Sequence, residues 1–129
     1  MMTPFHLTLA SALLFAAPAF AQSAPQEIDI SLTNFAFTPD ALNLKAHTAY
    51  RLHLVNGASS SHNFAAADFF SAAQVAPADA SKVKDGAIEV PKGQTVDVTV
   101  TPDRAGTYDL TCTHFMHTTF GMRGQIVVQ

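Results

Sequence analysis

"AGTYDLTCTHFMHTTFGMRGQIVV", residues 105–128, reads as a strand, a loop and a second strand. Tyr108, Leu110 and Cys112 alternate with Asp109 and Thr111, and the stretch closes on the apolar run Ile126-Val127-Val128. Such alternation marks a strand with one face in a core. The loop carries the only cysteine of the chain, Cys112, with His114, Met116, His117 and Met122 close behind it.

The same period runs through the rest of the chain. Ile28, Ile30 and Leu32 alternate with Glu27, Asp29 and Ser31; Leu42 and Leu44 flank Asn43; Leu52 and Leu54 flank His53; Val96, Val98 and Val100 alternate with Asp97 and Thr99. Turn signals separate these runs at Thr38-Pro39-Asp40, Asn56-Gly57, Pro91-Lys92-Gly93, Thr101-Pro102-Asp103 and Ala105-Gly106. Short strands at this spacing predict an all-β sandwich or barrel. The exception is residues 68–86, where the alanine content and Asp68 predict a short helix to about Ala76, stopped by Pro77 and followed by a loop.

The first residues form a separate unit. An apolar run from Leu7 to Ala17 precedes Pro18 and the small-x-small tripeptide Ala19-Phe20-Ala21. About 20 apolar residues are needed to cross a bilayer, so residues 1–21 read as a signal peptide rather than a retained anchor, although no Lys or Arg precedes the run. Residues 22–129 then form a single exported domain, expected in the periplasm. Seven basic against ten acidic residues, a net charge of −3 and no basic run give no basis for nucleic-acid binding. One cysteine allows no internal disulfide, so in an oxidising compartment it is buried, reactive or bound.

Beyond the leader there remain one Cys, two Met and five His, and residues 112–122 hold the Cys, both Met and two of the His. Thiolate and thioether favour copper, above all Cu(I), while imidazole suits both oxidation states. Two imidazoles and a thiolate in a plane with a long, weak thioether make a site that serves both. One loop cannot wrap a metal, so a further ligand comes from elsewhere. The candidate lies in "LVNGASSSHNF", residues 54–64, where His62 follows a turn at the end of a strand.

These pieces, together with "AGTYDLTC" and "HTTFGMRGQIVV", resemble the cupredoxins, the small blue-copper family. The Cys-x4-His-x4-Met spacing is similar to the longer ligand loops of auracyanin and rusticyanin; the shorter Cys-x2-His loop would place Phe115 at the histidine position. The resemblance implies a Greek-key β-sandwich of about eight strands with one short helix. It also implies a single copper held by His62, Cys112, His117 and, axially, Met122, with Asn63 bracing the two loops. Family patterns do not use His114, so it reads as an imidazole on the surface or beside the site. His47 and His53 read as solvated.

The expected function is a one-electron carrier cycling Cu(II)/Cu(I), with no catalytic residues. Copper delivery, resistance or storage, with His114 and Met116 as auxiliary ligands, is the alternative. Five histidines cannot supply both a blue site and a trinuclear cluster, so an oxidase is not expected. Phe115, Met116 and Phe120 surround His117 in sequence and suit a small apolar docking face for redox partners. A monomer without membrane contact is expected after leader removal.

Overall fold

The computed structural model describes residues 12–18, 23–114 and 121–129. The chain forms two mixed β-sheets packed face to face. The first is ordered β2 (Ala36–Thr38), β1 (Gln26–Thr33), β4 (Tyr50–Asn56), β9 (Thr95–Pro102) and β6 (Ala73–Val75). The second is ordered β3 (Ala41–Leu44), β11 (Arg123–Val128), β10 (Gly106–Thr111), β5 (His62–Ala65), β8 (Ala87–Val90) and β7 (Val83–Lys84). Each sheet contains one parallel pair, β1 with β4 and β3 with β11.

The period-two reading matches the observed burial. Ile30 and Leu32, Leu42 and Leu44, Leu52 and Leu54, Val98 and Val100, and Ile126 and Val128 all point into the layer between the sheets. Burying each such side chain contributes about 1.5–3 kcal/mol. Aromatic rings fill the middle: Phe64 meets Phe37 edge-on at 6.0 Å and Phe70 at 6.3 Å. Phe69 meets Tyr108 of β10 at 5.8 Å.

The all-β sandwich holds, with more strands than expected. Eleven strands occur among the described residues, and β2, β6 and β7 are only two or three residues long. The helix differs more. It spans Ala67–Ser71 rather than continuing to Ala76, and the chain then enters β6, where Val75 pairs with Val100 on the outer edge of β9. Pairing an otherwise open strand edge outweighs alanine's helix propensity here. Pro77–Lys82 form a 3₁₀ turn, and Asp85-Gly86, both with positive φ, close a two-residue hairpin between β7 and β8. Asp-Gly suits that turn because both positions need left-handed backbone. Gly86 has a second constraint, since a Cβ there would lie 2.4 Å from Cα of Ala67.

His53 is not simply solvated. On the outer face of the first sheet it stands opposite Asp97, with Nδ1 2.5 Å from Oδ1. The hydrogen bond to Asp97 raises its pKa above the ordinary value of 6.5, against a smaller opposing effect of desolvation. A raised folded-state pKa means that the stabilisation is fully present below about 6.5 and fades as pH rises through the folded value. An NMR titration of His53 is expected to give a midpoint above that of an unperturbed histidine, and Asp97→Asn should bring it down. A midpoint indifferent to Asp97→Asn would mean the pair does not form in solution.

Candidate metal centre

Three of the residues singled out from the sequence meet at one end of the second sheet. His62 opens β5, Cys112 follows the last residue of β10, and Met122 precedes the first residue of β11. Strand order explains the meeting, because β10 lies between β5 and β11, with Thr111 paired to both Ala65 and Arg123. The backbone N–H of Cys112 donates to the carbonyl of Met122 at 3.2 Å, and Gly121, at φ +93°, turns the chain into that contact. His62, Cys112 and Met122 are all fully buried. His117 lies outside the described residues, as do Phe115, Met116 and Phe120.

The geometry of the visible pair fits a shared ion. Nδ1 of His62 faces Sγ of Cys112 at 3.9 Å. Imidazole and thiolate donors at about 2.1 and 2.3 Å from one ion, about 120° apart, stand about 3.8 Å from each other. The donor set is imidazole and sulfur in a water-excluded pocket, which suits copper better than a hard cation. Among the described residues no group of three His, Cys, Asp or Glu side chains converges.

Asn63 joins the two ligand segments. Its Nδ2 donates to Oγ1 of Thr113 at 2.7 Å, and its Oδ1 accepts from the Thr113 backbone N–H at 2.9 Å. Its own backbone N–H points at Sγ of Cys112 at 3.5 Å. One residue thus clamps the backbone beyond the thiol and directs a donor at the sulfur itself. A hydrogen bond to sulfur stabilises thiolate character and tunes a bound metal.

Two further residues contact these segments without having been singled out from the sequence. Asn56, read from the sequence only as part of a turn, is buried and accepts from Ala58 N–H at 2.8 Å. It also donates to the carbonyls of Ser60 and Val90, each at 2.9 Å. It therefore shapes the loop that delivers His62. The signal was present, since asparagine commonly bonds to backbone two residues on, but its burial was not. Glu89, exposed on β8, engages His114, whose Nε2 lies 2.8 and 3.1 Å from the two carboxylate oxygens. His114, just beyond β10, thus reaches across β5 to β8.

Residues 5–128 match the family model of the cupredoxin-like domain. Among solved structures, an auracyanin B aligns with a TM-score of 0.62 at 22% identity, over 84% of this chain and 93% of that one. The dithionite-reduced auracyanin of Roseiflexus castenholzii aligns with a TM-score of 0.62 at 18% identity, over 83% and 99%. Auracyanin A of Chloroflexus aurantiacus, a "blue" copper protein, aligns with a TM-score of 0.59 at 25% identity, over 82% and 100%. No curated protein matches the chain by sequence.

Proposed function

The chain belongs to the cupredoxin-like domain family, and on that premise we propose that it is an exported one-electron carrier holding one copper through His62, Cys112, His117 and Met122. The observation that carries this reading is the buried His62–Cys112 pair, set at the separation expected of two ligands on one ion. The copper would supply a Cu(II)/Cu(I) couple of one electron. The chain's own part is to keep the donors still and dry. Burial excludes water from His62, Cys112 and Met122, and the Asn63 clamp holds the Thr113 backbone in one position. Donors held in place by the fold need little rearrangement when charge changes, which favours transfer over chemistry on a substrate.

The leader at residues 1–21 supports export, and a periplasmic site of action follows for the cleaved domain. Phe115, Met116, His117 and Phe120 form the proposed docking face for redox partners, used by a monomer. No enzymatic role is proposed. Copper delivery or storage, with His114 and Met116 as auxiliary ligands, is the alternative that the titration below separates from electron transfer.

Titration of the protein with Cu(II), followed by visible absorption and electron paramagnetic resonance, tests the proposal. An intense thiolate-to-copper band should saturate at one equivalent, bleach on reduction and return on reoxidation, and persist in His114→Ala at a shifted position. Saturation beyond one equivalent, or loss of the band in His114→Ala, would favour copper handling.

A further inference from the structure

The Asn63 clamp has a neighbour one strand further out. Asn63 and Glu89 stand opposite each other in the β5–β8 ladder. Asn63 grips Thr113, and Glu89 grips the next residue, His114, through both carboxylate oxygens. Consecutive residues beyond Cys112 are therefore fastened to opposed residues on adjacent strands. His114 stands two residues beyond Cys112 and three before the proposed imidazole ligand His117. An anchor there fixes the backbone just beyond Cys112.

Resting on the copper-carrier reading, we infer that Glu89 is a positioning residue for the metal centre, acting through His114. Glu89 borders an open trough of ≈ 980 Å³ that also touches Asn63 and Thr113. Its charge is therefore screened by solvent, and its influence on the centre is geometric. Carboxylates that orient a metal-site imidazole are known to matter at one remove from the metal. Here the imidazole held is outside the proposed ligand set, and what it orients is the backbone of Thr113 and His114, directly after Cys112.

Two substitutions separate geometry from charge. Glu89→Gln and Glu89→Ala both remove the negative charge, but only Gln retains an oxygen that accepts from the imidazole N–H. The copper-loaded Gln protein is expected to keep the wild-type band and to release copper to a chelator within about twofold of the wild-type rate. The Ala protein is expected to release it about tenfold faster, at the low end of the range for outer-shell changes, with a displaced band and altered copper hyperfine splitting. Adding Glu89→Ala to His114→Ala should change nothing more. The copper-free forms should melt together, which locates the effect at the site rather than in the fold.

If Ala and Gln proteins both match the wild type, Glu89–His114 is a surface ion pair only and the inference falls. Equal changes in both would make charge the agent and overturn it as well. A wild-type protein that shows no thiolate band would instead overturn the electron-carrier reading, and that result is read on the unmodified chain.

Discussion

Cys112→Ser is expected to abolish the intense visible band and to weaken copper binding by more than the roughly 10–100-fold that loss of an outer-shell partner costs. The thiol is the only soft anionic donor in the chain, and it sits fully buried between the Nδ1 of His62 and the N–H of Asn63. A serine hydroxyl is harder and ionises far less readily than a thiol, so it cannot reproduce a thiolate–copper bond. The apo fold should tolerate the change, because oxygen replaces sulfur at nearly constant volume and the Asn63 N–H offers it a donor. A cost of about 1 kcal/mol is expected for a buried hydroxyl with one partner. Absorption titration and thermal melting of the copper-free protein check the two halves separately. A variant that keeps the band would remove Cys112 from the ligand set.

Asn63→Ala should produce the largest loss of stability among these substitutions. It deletes both side-chain bonds to Thr113, which tie together residues 50 apart in the chain. Each hydrogen bond contributes about 0.5–1.5 kcal/mol net, and the Thr113 N–H is left without its acceptor, so a total of about 2–3 kcal/mol is expected. For a domain of this size that lowers the melting temperature by about 10–20 °C. Copper should also leave faster, since the β5 and β10 ends would no longer be fastened to each other through Asn63. Thr113→Val, which removes only the bond to Oγ1, should cost about 0.5–1.5 kcal/mol. Equal stability of the Asn63→Ala and wild-type proteins would show that the clamp is not formed.

Both predictions start from residues legible in the sequence. Strand content was readable because a strand's periodicity is local: Leu52 and Leu54, or Val98 and Val100, declare a buried face within a few residues. The crowding of Cys112, His114, Met116, His117 and Met122 is likewise a local fact. The helix is legible, but its length is not, because it depends on an edge of β9 that the sequence does not display. The Asp85-Gly86 hairpin carries a local turn signal, but only the pairing of β7 with β8 distinguishes it from a loop.

What the chain determined by itself was the alternation of its strands, the turns between them and the one loop that gathers its sulfur and imidazole donors. Tertiary structure decided that His62 stands 3.9 Å from Cys112, that Asn63 clamps Thr113, and that Glu89 holds His114. Those pairs lie 25 to 50 residues apart, and strand order alone brings them together: β10 pairs with β5, and β5 with β8. Local propensity fixes which way a side chain faces within its strand, whereas its neighbour across the sheet is set by how the whole core packs.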